Sequence, residues 1–94
     1  MLALKTVKII SKGRKYYTCE VGSSKAKLLI NPVSDGLKPG DGETFLVLDQ
    51  SERTKYGVTL IFEPIEKATP ENLSKLKQKV SAETWVKYAE EDVS

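Results

Sequence analysis

Tyr16 to Val47, YYTCEVGSSKAKLLINPVSDGLKPGDGETFLV, is the stretch whose reading decides how this chain folds. Its first arm alternates, with Tyr17, Cys19 and Val21 on one side and Tyr16, Thr18 and Glu20 on the other, the period-two signature of a half-buried strand. Gly22-Ser23-Ser24 supplies a turn, and the return arm places Ala26, Leu28 and Ile30 inward and Lys25, Lys27 and Leu29 outward. A Gly/Pro-rich crossover follows, and the turn Leu37-Lys38-Pro39-Gly40-Asp41, in which Asp41 stabilises the bend, launches a further strand. That strand, Phe45-Leu46-Val47-Leu48, is apolar on both faces, so it is central or covered by a helix.

Working outward, strands are expected near 2–10, 14–21, 25–31, 43–49 and 55–63. In the first, Leu2 and Leu4 share one parity and Val7 and Ile9 the other, which predicts a β-bulge between Leu4 and Val7. In the last, Tyr56, Val58, Leu60 and Phe62 share a face, and Tyr17, Tyr56 and Phe62 are expected in the core. Beyond residue 66 the period becomes helical. Thr69-Pro70-Glu71 reads as an N-cap, a proline at the first helical position and an acid in the first turn, with Leu73, Leu76 and Val80 as the apolar stripe. Ser81 is read as the cap of a second helix carrying Trp85, Tyr88 and Ala89. The expected fold is therefore mainly β: one domain, 1–94, with a small five-stranded antiparallel barrel over 1–66, OB-like with an SH3-like barrel as the alternative. Two C-terminal α-helices follow over 67–94, packing on an open end or a face of the barrel.

Ninety-four residues suffice for one modest core. The net charge of +2 says little, but its distribution is uneven: residues 1–62 hold ten basic and six acidic side chains, and residues 63–94 five and seven. The barrel is the basic part. Histidine is absent, which removes the commonest metal ligand and general base. Gly36, Gly40 and Gly42 lie in a strand-to-strand turn rather than opening a helix, so they do not form a phosphate loop. An enzyme is not expected, and no catalytic residue, metal site or cofactor is assigned. Cys19 is the single cysteine, read as a small buried hydrophobe, and no secretory pattern is visible, so a cytoplasmic, reducing location is expected. No apolar run approaches the roughly 20 residues needed to span a bilayer, so a membrane is not an expected partner.

The run Glu20-Val21-Gly22-Ser23-Ser24-Lys25-Ala26-Lys27-Leu28-Leu29-Ile30, followed by a short loop and Leu37-Lys38-Pro39-Gly40-Asp41, resembles the middle of single-stranded-DNA-binding OB domains of the replication protein A type. The resemblance covers about a third of the chain and implies an OB barrel that binds single-stranded nucleic acid. Asn31 stands where those domains often carry an aromatic, and residues 32–36 are too few for the helix they usually place there.

In an OB barrel the outer face of strands two and three and the loops joining strands one to two and four to five form the binding surface. Here the first loop carries Lys12, Arg14 and Lys15 and the second Arg53 and Lys55, with Tyr16, Thr18, Lys25 and Lys27 between them. Cations track phosphates while an exposed tyrosine stacks on a base. The expected binding residues are Lys12, Arg14, Lys15, Tyr16, Lys25, Lys27, Arg53 and Lys55. The plainer reading of the same residues is a solvated basic surface on an ordinary sheet face. The alternative function is a protein-interaction or self-association module, motivated by Leu29 on a polar face, the doubly apolar fourth strand and the stripe with Trp85 and Tyr88.

Overall fold

A computed structural model describes residues 1–82 of the chain. Among the described residues seven strands form, β1 (Leu2–Lys12), β2 (Tyr16–Val21), β3 (Ser24–Leu29), β4 (Gly42–Asp49), β5 (Glu52–Thr54), β6 (Gly57–Thr59) and β7 (Ile61–Lys67). Five of them close into a barrel in the order β1-β2-β3-β7-β4, and β5 and β6 form a separate two-stranded hairpin. A closed five-stranded barrel with this connectivity is compatible with an OB-like fold.

Val7, Ile9, Tyr17, Cys19, Ala26, Leu28, Phe45, Val47 and Phe62 make the barrel core. The β2–β3 hairpin follows the expected alternation, with Tyr17 opposite Leu28 and Cys19 opposite Ala26 on the inside. Its turn is Gly22-Ser23, and only Gly22 adopts a positive φ, the requirement of a two-residue turn that matches strand twist. At the far end of β3, Asn31 organises the crossover. Its side chain accepts from the Val33 N–H at 2.9 Å and donates to the Pro64 carbonyl at 2.9 Å, joining the turn to β7. Asp41 closes the next turn by accepting from the Lys38 N–H at 2.9 Å.

The closure differs from an all-antiparallel barrel. β3 and β7 run parallel, pairing at Lys27 with Ile61 and Leu28 with Phe62. No crossover helix is needed, because the chain between them passes through β4 and the β5–β6 hairpin, which is long enough to return in the same direction. The expected single strand over 55–63 is replaced by β6, a break at Leu60, and β7. Tyr56 and Val58 consequently leave the core, at 87% and 53% exposure, whereas Tyr17 and Phe62 are buried as expected. β7 instead continues through Pro64, which is tolerated where the β4–β7 register shifts between Leu46 and Val47.

The bulge of β1 also moves. It lies between Ile9 and Ser11 in the pairing with β2, not between Leu4 and Val7. Ala3, Val7 and Ile9 keep one inward parity, and Leu4 belongs to the outer face. That face is covered. Leu46, Cα partner of Leu4 and opposite in parity to Phe45 and Val47, is buried outside the barrel core, as is Leu76 of the helix α1 (residues 73–82). Leu73 and Lys77 line a shallow recess with Leu4, Thr6 and Thr44, so α1 lies across the outside of β1 and β4, as the two-faced apolarity of β4 implied.

The start of α1 is built by a reciprocal cap. The Thr69 N–H donates to Asn72 Oδ1 at 2.6 Å, and Thr69 Oγ1 accepts from the Asn72 N–H at 3.3 Å, a capping box with asparagine in the usual Glu/Gln position. Among the described residues α1 is the one helix after the barrel, and Ser81 lies inside it rather than capping a second. The expected stripe of Trp85, Tyr88 and Ala89 lies outside the described residues. Also among the described residues, no helix is long and apolar enough to cross a membrane.

Candidate nucleic-acid interface

The outer face of β2 and β3 carries Tyr16, Thr18 and Glu20 facing Leu29, Lys27 and Lys25 respectively. Tyr16, the first residue of β2, is half-buried at the edge of this face. Its ring holds two ammonium groups, Lys15 Nζ at 5.6 Å and Lys27 Nζ at 5.9 Å from the centroid. The Lys27 contact follows from register: Lys27 sits opposite Thr18, diagonal to Tyr16, within reach of a long side chain. Lys15 comes from the tight loop 13–15, where the Gly13 N–H donates to the Tyr16 carbonyl at 2.9 Å. A Cβ on Gly13 would lie 2.8 Å from that carbonyl oxygen, so the loop closes this tightly only with glycine.

The β5–β6 hairpin stands beside the first half of β3. Val58, Thr59 and Leu60 line, with Thr18, Lys25, Ala26 and Lys27, an open recess of about 240 Å³. The hairpin base is anchored by main-chain bonds from Gln50 N–H to the Ile61 carbonyl and from Lys27 N–H to the Leu60 carbonyl, each 2.8 Å. Asp49 secures the same base. Burial pushes its carboxyl upward, but hydrogen bonds from Ser51 and the charges of Lys5 and the N-terminus hold it below the usual range. At the tip, Tyr56 projects into solvent with Lys55 Nζ 5.1 Å from its ring centroid.

The sequence-derived residues thus separate into groups. Lys15, Tyr16 and Lys27 converge, and Lys25 joins Lys27 along the recess. Arg53, in β5, and Lys55 belong to the hairpin that forms the opposite wall, while Arg14 is exposed in the 13–15 loop. Lys12 is exposed too, but it pairs with Tyr17 beyond the bulge and so takes the parity opposite to the Tyr16 face. Among the described residues, none of these seven cations has a carboxylate within ion-pair distance, whereas Lys67 pairs with Glu43 and Lys79 with Glu66. Tyr56 and the hairpin wall were not foreseen. Their signal was Gly57, which weakens a strand interior and here takes φ 134° at the foot of the turn.

Compared with known proteins, the chain matches no family model, and no curated protein or solved structure is significantly similar to it.

Proposed function

We propose that this barrel binds single-stranded nucleic acid along the outer face of β2 and β3. One observation carries the reading: two lysines that have no carboxylate partner among the described residues flank the Tyr16 ring, on the face that OB-like barrels use for extended polymers. Tyr16 offers a base a stacking surface, and its two neighbouring ammonium groups are placed for the phosphates on either side of that base. Lys25, Arg14, Arg53 and Lys55 extend the positive field, and Tyr56 at the hairpin tip adds a second aromatic platform. The resemblance to OB domains of the replication protein A type agrees with the strand order and with the position of this face. No sequence preference follows from stacking and phosphate contacts, since every base has a π-face.

Fluorescence anisotropy with a labelled oligonucleotide at two salt concentrations tests the proposal. With about four phosphates neutralised, affinity should fall roughly fifty-fold between about 50 and 200 mM salt. Absence of binding at low salt would sink it. A protein partner is the second reading, favoured by the exposure of Tyr56 and Val58 on the hairpin. Salt-insensitive self-association in light scattering would move the balance to that reading.

A further inference from the structure

The recess beside β3 is a gap in the sheet. β7 pairs with β3 only at Lys27 and Leu28, and β6, which leans over the remaining edge, belongs to a separate sheet. Lys27 directs its N–H outward to the Leu60 carbonyl at 2.8 Å. By the alternation of a strand, the main-chain N–H and C=O of Lys25 point to the same edge, where no strand pairs with them. Thr18 and Thr59 both belong to the recess lining, and among the described residues neither hydroxyl makes a hydrogen bond. Val58, Leu60 and Lys25 complete the lining with Lys27, whose ammonium lies 5.9 Å from the Tyr16 ring centroid.

We infer that this recess is a base-reading subsite: one unstacked base of the bound strand enters it edge-on, next to the base stacked on Tyr16. The inference rests on the nucleic-acid reading above and adds hydrogen-bonded discrimination at one position to a surface that otherwise tolerates any base. Three observations select this occupant. The volume, about 240 Å³, lies below the roughly 300–1,000 Å³ of sites that enclose a whole drug-sized ligand, so it suits one unit of a longer chain. The unpaired edge spans only Ser24–Ala26 before β7 begins, too short for an added peptide strand, which needs several successive main-chain pairs. Lys27 belongs to both places, its ammonium at the Tyr16 ring and its residue in the recess lining, so the two places adjoin and one strand can reach both. Thr18 and Thr59 are the specificity-determining side chains, acting with the Lys25 main chain on the donors and acceptors of the base edge.

The test is a comparison of fluorescein-labelled oligothymidylate, oligodeoxyadenylate and oligodeoxycytidylate of about 15 nucleotides, within the range of one OB barrel. Each is titrated with the full chain and with the Thr18→Val, Thr59→Val double variant, which keeps the side-chain shape and removes the hydroxyls. The expected result is an affinity ratio of about tenfold between best and worst oligonucleotide, reduced toward unity in the double variant. Intrinsic stacking of each oligonucleotide is the same for both proteins, so the change in ratio isolates the recess. Tyr16→Ala is expected to weaken all three alike and leave the ratio intact. Equal affinities for the wild-type chain, or a ratio that survives in the double variant, overturn the subsite alone. No binding to any of the three overturns the parent proposal and the subsite with it. Circular dichroism of the double variant excludes unfolding as the cause of a lost ratio.

Discussion

The Tyr17 hydroxyl donates to the Ser34 carbonyl at 2.9 Å and accepts from the Leu37 N–H at 3.2 Å, so a core residue of β2 pins the middle of the crossover between β3 and β4. Ser34 is itself buried and donates from its hydroxyl to the Leu29 carbonyl at 2.7 Å. The end of β3 and the segment leading to β4 are thereby fixed to the same point of the barrel wall. Tyr17→Phe leaves the ring in place and two main-chain groups unsatisfied. It should cost about 1–3 kcal/mol in urea unfolding, with little change in nucleic-acid affinity, because Tyr17 faces away from the proposed binding face.

Tyr16→Ala should have the reverse signature. It removes the proposed stacking platform and should weaken oligonucleotide binding by roughly 1–3 kcal/mol with a small effect on the urea midpoint. Charge reversal of Arg14 and Arg53 should weaken all sequences alike and make the salt slope shallower in an anisotropy titration.

Gly13→Ala acts on the site through the backbone. The added Cβ meets the Tyr16 carbonyl oxygen at 2.8 Å, and main chain, not a flexible side chain, must yield. A destabilisation of about 1–3 kcal/mol is expected, as for other overpacked positions. Loop 13–15 should also shift, and the amide resonances of Lys15 and Tyr16 would report this directly.

Leu76→Ala uncovers the outer apolar face of β4. Leu76 and Leu46 are both fully buried outside the barrel core, so truncation should cost about 2–5 kcal/mol in thermal or urea unfolding. A cost below 1 kcal/mol would mean that α1 contributes little to holding the barrel together.

Cys19 sets a testable alkaline limit. Burial pushes its thiol up from 9.0 to about 11, and its Sγ–H points to the Ala26 carbonyl at 3.5 Å. The unfolded chain therefore releases a proton that the folded chain retains. Stability is unaffected below pH 9, declines as pH rises from there towards 11, and the total loss is of order 3 kcal/mol. Cys19→Ala should flatten that part of the profile, and a thiol reagent should label the wild-type protein only as it unfolds.

Features of this molecule that depend on neighbouring residues are written in the chain itself. The alternation of Tyr17, Cys19 and Val21, the Gly22-Ser23 turn, the Asp41 bend and the Thr69-Pro70 helix start each involve contacts a few residues apart, and each forms as its local chemistry dictates. The apolarity of both faces of Phe45-Leu46-Val47-Leu48 also announced a second covering layer. What the local pattern could not carry was which distant edges would meet. Parallel pairing of β3 with β7 depends on the path of some thirty intervening residues, and it is this pairing that starts a new strand at Ile61 and leaves Tyr56 outside. In period-two terms Tyr56 matches Phe62, yet one is solvent and the other core, because Tyr56 sits in the β5–β6 turn and the strand breaks at Leu60 before Phe62. The same holds for the site. The basic composition of the loops is plain in the sequence, but the diagonal of Tyr16 and Lys27, and the gap between Lys25 and Thr59, arise from strand register and barrel closure. Both are long-range choices made by burying nine core side chains at once.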